Sequence, residues 1–343
     1  MWSLKTGSKV RPSMYFGCGV TLVAVMAALV QIQESRMPSG WHQRNSFFGH
    51  TSPIMVVTFS PDGQLLASGD FDGNLFIWHW EGGKQWVSTP DHPDRVLSLA
   101  FSPDGRSLVC GREGGAVQLW DVARGKLTKT LPGHQGGVMG VCFAPHGRTL
   151  ATGSADGVVK LWDLNTGKER ASWVGHVRCV TSLDFTPSGE VLATGSLDRS
   201  INLWDVATTT QFASLQGPEG GVYSLSFAGD SHSLVAGYGD GSVALWDVPT
   251  QQITITLPVA EKPILSVSAT ADGRKVMAGS LDGYVKLWDF DRDRAIVLLD
   301  HKTNPYIKAV ALAPDGSKFA FGLNSTLSVE RWDISSPGVT FLR

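Results

Sequence analysis

Residues 49–78 read GHTSPIMVVTFSPDGQLLASGDFDGNLFIW. Apolar and polar residues alternate through VVTFS at 56–60, LLASG at 65–69 and NLFIW at 74–78, the period of two that buries one face of a β-strand. Pro61-Asp62-Gly63 separates the first run from the second, and Asp72-Gly73 the second from the third; both are hairpin-turn compositions. The pattern returns down the chain. Tryptophans stand at Trp78, Trp120, Trp162, Trp204, Trp246, Trp288 and Trp332, spaced by 42 residues five times and then by 44. Asp follows six of them, and His79 stands in its place after the first. A histidine column on the same period runs through His50, His92, His134 and His176, lapses at Pro218 and Ala260, and returns at His301. The turn Ser-Pro-Asp-Gly at 60–63 recurs at 102–105 and is echoed by Ala-Pro-Asp-Gly at 313–316.

Each repeat therefore holds three regular strands and a less regular fourth, one small antiparallel sheet. Such a sheet cannot bury both faces alone. Stacking seven around an axis covers each face with a neighbour and leaves only short edges. The predicted fold is all-β: a seven-bladed β-propeller of four-stranded antiparallel sheets over residues 43–343, preceded by an N-terminal segment, 1–33, and a linker, 34–42. Composition agrees, with 39 Gly, 17 Pro and only 17% charged residues in 343. The net charge of −2, with acids and bases intermixed, provides no electrostatic footprint for a phosphate backbone, so nucleic acid is excluded as an expected partner. Cys18, Cys110, Cys142 and Cys179 form no CxxC pair and no metal-ligand spacing, and read as small buried hydrophobes.

The GH, PDG and WD motifs at these intervals resemble the WD-repeat family over about 300 of the 343 residues. The resemblance implies a disc with a narrow central channel, closed by strands from the two ends of the chain. Residues 43–48 and 338–342 both align with the closing outer strand, and the N-terminal segment is favoured. The resemblance also implies a hydrogen-bonded tetrad of His, hydroxyl, Asp and Trp in each complete blade. By position these are His50, Ser68, Asp72 and Trp78 in blade 1; His134, Thr152, Asp156 and Trp162 in blade 3; His176, Thr194, Asp198 and Trp204 in blade 4. Blade 2 departs with Cys110 and Gly114, blades 5 and 6 keep Asp240 and Asp282 without the His, and blade 7 keeps only His301 and Trp332. His, Asp and a hydroxyl are also the parts of a nucleophilic triad, but recurrence in several blades and the Trp donor favour a stiffening polar network.

The first 33 residues contain no acid; Lys5, Lys9 and Arg11 precede a run from Met14 to Val30 that is apolar apart from Gly17, Gly19 and Thr21. Seventeen helical residues span about 25 Å, short for a membrane core of about 30 Å, so an uncleaved anchor, a cleaved signal and a non-inserting leader all stay open. The bases ahead of the run would leave the propeller outside and the N-terminus in the cytoplasm. The expected location is membrane-anchored or exported, with a cytoplasmic protein as the alternative.

No HExxH, P-loop or GxSxG motif is present. Asp289, Asp291, Asp293 and Asp300 begin like a calcium loop, but Arg294 stands where such a loop needs Gly and the bidentate Glu is missing, so no metal and no cofactor is expected. Inner-strand positions are small, and Asp184 is a lone acid among them, which argues against catalysis. The function expected is a non-catalytic protein-interaction scaffold binding proteins or peptides through one face; the alternative is an enzyme or small-ligand binder using the channel mouth. Loops on a rigid scaffold are where recognition sits, and aromatic and Arg side chains dominate interfaces. The candidate partner-binding residues, which depart from the repeat's own consensus, are Asp70, Phe71, Arg95, Arg112, Arg178, Leu197, Tyr238, Leu281 and Tyr306.

Overall fold

Each PDG turn is closed by its own side chains. The Ser60 hydroxyl donates to Asp62 Oδ1 at 2.6 Å, and the same oxygen accepts the Gln64 N–H at 3.0 Å. The Gly63 N–H donates to the Ser60 carbonyl at 2.9 Å with φ of 65°, a left-handed conformation that glycine adopts without strain. In the computed structural model, which describes residues 41–83, 85–89, 94–290, 294–299 and 306–334, this turn joins the inner strand Ile54–Phe59 to a second strand, Leu65–Asp70. The third strand, Leu75–His79, and the outer strand, Gln85–Thr89, complete an antiparallel sheet. The unit recurs with inner strands Val96–Phe101, Val138–Phe143, Val180–Phe185, Val222–Phe227, Ile264–Ala269 and Val310–Leu312, making seven four-stranded blades among the described residues.

The seventh blade is composite. Its first three strands are Val310–Leu312, Lys318–Leu323 and Ser328–Ile334, and its outer strand is the N-terminal Trp41–Phe48, with Trp41 opposite Ile334 and Phe48 opposite Ser328. Trp41 and His42, placed in the linker by sequence, thus belong to the strand. The competing segment 338–342 lies outside the described residues, as do the apolar run 14–30, His92, His301, Asp291, Asp293 and Asp300. Among the described residues no helix is long and apolar enough to cross a membrane.

The closing strand is held by polar groups as well as by its ladder. Glu330, buried, accepts from Gln43 Nε2 at 2.8 Å, Ser46 Oγ at 2.8 Å and Ser328 Oγ at 3.0 Å. Arg331, also buried, donates through Nε to the Asn45 carbonyl at 2.8 Å and stacks over Phe47 at 3.8 Å. Arg44 bridges Asp333 and Glu81.

Apolar burial lies between blades. Seven clusters of buried side chains pair each blade with the next, and one of them sets Ile54, Val57 and Phe59 of blade 1 against Ala309, Ala311 and Val329 of blade 7. A second-strand glycine lets neighbouring blades meet: a Cβ at Gly69 would lie 2.2 Å from Val96 Cγ1. Both faces of the second strand are consequently covered, and five consecutive residues, Leu66 to Asp70, are buried.

Candidate functional site

Tryptophan can only donate, so the hydroxyl facing it must accept. In blade 1 Trp78 Nε1 donates to Ser68 Oγ at 2.7 Å, and His50 Nε2 lies 2.7 Å from the same oxygen. The Ser68 proton then goes to Nε2, which leaves Nδ1 protonated to donate to a carboxylate. That carboxylate is Asp70, at 2.8 Å, and not Asp72. Asp72 is exposed, and its backbone N–H donates to Ser52 Oγ at 2.9 Å. Asp70 is fully buried and further held by the Asn74 N–H at 2.8 Å and side-chain amide at 2.9 Å.

In blade 4 the acid comes from the turn position as sequence places it. His176 Nδ1 is 3.0 Å from Asp198, Nε2 is 2.8 Å from Thr194 Oγ1, and Trp204 donates to Thr194 at 2.9 Å. Blade 3 is looser: Thr152 joins His134 at 2.7 Å and Trp162 at 2.9 Å, but Asp156 stands 3.6 Å from His134 Nδ1. Burial holds both His134 and His176 below the ordinary imidazole pKa, consistent with the neutral ring the hydrogen bonds require. Where the hydroxyl position holds Cys110 or Phe321, Nε1 of Trp120 or Trp332 is buried without an acceptor.

Three candidates for partner contact are buried supports instead. Asp70 is one. Arg112 is fully buried and donates to Gln118 Oε1 at 3.1 Å and to the carbonyls of Gly73 at 2.8 Å and Asp94 at 2.9 Å, tying blade 2 to the turn of blade 1. Tyr238 is fully buried, and its hydroxyl accepts from Trp246 Nε1 at 2.9 Å. Blade 5 has Pro218 and Ala236 where the tetrad needs His and a hydroxyl, so Tyr238 supplies the missing acceptor from two residues further along the second strand, the place Asp70 holds in blade 1. A Cβ at Gly217 would lie 2.3 Å from that hydroxyl oxygen, so the glycine makes room for the ring.

The other six candidates are at the surface. Arg178 is exposed on the loop before the inner strand of blade 4. Phe71, Arg95, Leu197, Leu281 and Tyr306 converge on the mouth of the channel, where a cavity of about 780 Å³ opens. Phe71 and Leu281 are each 40% exposed, a large apolar surface to leave in water. Arg95 lies over Phe71, its guanidinium carbon 3.6 Å from the ring centroid, and donates to Glu113 at 2.7 Å. Sequence reasoning missed Leu97, Met139, Tyr223, Leu265 and Lys308, which line the same mouth. They occupy the inner-strand position just before the small channel residue, and its departure from small size was the available signal.

Deeper in the channel, inner strands present an unpaired edge, and side chains of one blade satisfy the N–H groups of the next. Ser182, Ser224 and Ser266 accept from Leu225, Val267 and Val310 at 3.0, 3.0 and 3.1 Å. Asp184 accepts from Phe227 at 2.8 Å, as Ser226 and Ser268 do from Ala269 and Leu312 at 3.3 and 3.0 Å. The lone acid is thus one of a series of inter-blade staples, and burial pushes its carboxyl up to about 6. Among the described residues no group of His, Cys, Asp or Glu could hold a metal ion.

The family model described as WD domain, G-beta repeat matches residues 41–79, 83–121, 125–163, 167–205, 209–247 and 251–289, more than half of the chain. Similarity to individual curated proteins is about one repeat long. A probable cytosolic Fe-S cluster assembly factor of Schizosaccharomyces japonicus is 53% identical over 38 residues, 11% of this chain and 6% of that protein. The small ribosomal subunit protein RACK1 of Schizosaccharomyces pombe is 54% identical over 35 residues, 10% and 11% of the two chains. The serine-threonine kinase receptor-associated protein of Homo sapiens is 54% identical over 39 residues, 11% of each. The alignments therefore span about a tenth or less of these relatives. With the repeat matched six times in succession and folded as blades of one closed ring, the chain belongs to the WD domain, G-beta repeat family.

Proposed function

We propose that the protein is a non-catalytic interaction scaffold that takes a protein partner at the channel mouth, on the face bearing the loops ahead of the inner strands. The convergence of Phe71, Leu281, Leu197, Tyr306 and Arg95 on one opening carries this reading. Aromatic, aliphatic and Arg anchors around a concavity, held by rigid blades, are what hot spots are made of. One matched relative is named as receptor-associated and another as a ribosomal subunit protein, which accords with binding other proteins. Among the described residues the one carboxylate lining the cavity, Asp184, is engaged with backbone N–H groups, which favours a scaffold over a channel enzyme.

The test is affinity capture followed by mass spectrometry with wild type, a Phe71→Ser, Leu281→Ser variant and a rim variant, Lys126→Ala, Lys168→Ala. The mouth variant should lose the main partner, since each anchor contributes about 2 kcal/mol or more. The rim variant should keep it. The reverse pattern would move the interface to the circumference.

Residues 14–30 are proposed to attach the propeller to a membrane or to export it. The outer strand Trp41–Phe48 starts on the face opposite the mouth and ends beside the His50 loop. Alkaline extraction of membranes from cells expressing the full chain tests attachment; recovery wholly in the soluble fraction on the cytoplasmic side would refute it.

A further inference from the structure

One place in each repeat points at the channel mouth. In blades 1, 2, 3 and 6 it holds Met55, Leu97, Met139 and Leu265, in blades 4 and 5 the uncharged Thr181 and Tyr223, and in blade 7 it holds Lys308. Lys308 is half-buried in this wall, and among the described residues its ammonium has no hydrogen bond and no ion pair. The neighbouring cation is already engaged: Arg95 is paired with Glu113 at 2.7 Å and flattened on Phe71. Among the described residues the mouth is therefore a largely apolar ring in which the Lys308 ammonium has no directly bonded partner, Glu113 acting on it only at longer range.

Resting on the reading of the mouth as the partner face, we propose that Lys308 receives the side-chain carboxylate of a glutamate in an extended segment of a protein partner, whose flanking apolar residues sit against Phe71, Leu281 and Tyr306. An ammonium held in an apolar wall has lost much of its hydration before the partner arrives, so the pair forms without the usual desolvation of that side. A single amine matches a single negative charge. A phosphate dianion calls for several donors, commonly an arginine cluster, and among the described residues the one arginine lining the cavity, Arg95, is committed to Glu113, whose charge would repel a dianion more strongly than a single carboxylate. Asp184 lines the same cavity below, and its carboxylate keeps the incoming acid at the mouth instead of in the channel.

The test uses the full chain and three pools of fluorescein-labelled nonapeptides. Their flanking positions are randomised over neutral residues, and the central residue is fixed as glutamate, glutamine or phosphoserine. Anisotropy titrations should show the wild type binding the glutamate pool about tenfold more tightly than the glutamine pool. Lys308→Met should bring the glutamate pool down to the glutamine level at an unchanged melting temperature, and Lys308→Arg should keep the preference. Parity of the two pools on wild type, a preference that survives Lys308→Met, or a phosphoserine pool that binds more tightly than glutamate would each overturn the assignment. Parity together with loss of all pools in the Phe71→Ser, Leu281→Ser variant would leave the mouth as the docking face and remove only the glutamate. Pools that bind wild type and this variant equally, or that bind neither, would overturn the docking face as well.

Discussion

Two carboxylates two residues apart, Asp70 and Asp72, have opposite roles. Asp72 holds the turn position from which Asp198 reaches His176, yet in blade 1 the acid that meets the histidine is Asp70, buried and bonded to His50 and Asn74. Removing a buried charged acceptor leaves its donors unpaired, so Asp70→Ala should cost about 2 to 3 kcal/mol in chemical denaturation. Asp72→Ala should stay within about 0.5 kcal/mol, because its side chain faces solvent. Equal losses would show that blade 1 uses its turn acid after all. The Trp and hydroxyl of each tetrad were legible because their spacing repeats. The acid of blade 1 was not, since there both positions carry Asp. Arg112 and Tyr238 misled for a related reason. They depart from the small residues of their column, which looked like a surface adapted to a partner, but that column is buried throughout Asp70, Arg112, Ser154, Ser196, Tyr238 and Ser280. In a strand covered on both faces the in-out alternation that reveals exposure is lost. Phe71 and Leu281, one step further along in their own turns, are exposed, and Leu197 is half-buried.

The inner strand shows how an element's sequence can be read rightly for size and incompletely for chemistry. Small residues were expected there because seven strands crowd around an axis. The added role of the hydroxyls, accepting the N–H of the next blade, depends on geometry between repeats that no single repeat encodes. Asp184 fills that role with a charge where Ser226 and Ser268 do so without one. Burial raises its carboxyl from an ordinary 3.8 to about 6, so the ionised form is the one the fold disfavours. A group raised in this way contributes most below its unfolded value, and that contribution is lost as pH rises through about 6. Asp184→Ser keeps an acceptor for the Phe227 N–H and removes the buried charge. The variant should therefore be more stable than wild type at pH 8, with an advantage that shrinks as pH falls from 6 towards 4, measured by urea denaturation across that range. An advantage that is flat with pH, or that grows towards acid, would mean that Asp184 is not the disfavoured anion described.

At the scale of the molecule, a period of 42 residues was enough to count blades, because a repeat that buries its faces only against copies of itself must close or expose an end. The family model matches six repeats while the ring has seven blades. The seventh has lost its motif where Phe321 replaces the hydroxyl, yet it completes the ring through the N-terminal strand. Closure is therefore borne by different chemistry from the other junctions. Phe47, 2% exposed, stacks on Trp78 with ring centroids 4.8 Å apart, Glu330 takes two of its hydrogen bonds from Gln43 and Ser46, and Arg331 donates to the Asn45 carbonyl. A chain beginning at residue 49 would lose the aromatic, about 3 to 5 kcal/mol, and three hydrogen bonds to the charged groups of Glu330 and Arg331, about 1.5 to 3 kcal/mol each. That sum rivals the whole stability of an ordinary domain, about 5 to 15 kcal/mol. Such a chain should melt without a cooperative transition, whereas one beginning at Trp41 should melt like the full protein. Because the missing strand is bound without covalent links to the third strand, by its ladder, these side chains and the Arg44 bridge to Asp333 and Glu81, a synthetic peptide of residues 41–48 added in trans should restore a cooperative melt, and a scrambled peptide should not. If the chain from residue 49 melts at the temperature of the one from Trp41, the N-terminal strand is decoration on a ring that other contacts already hold shut.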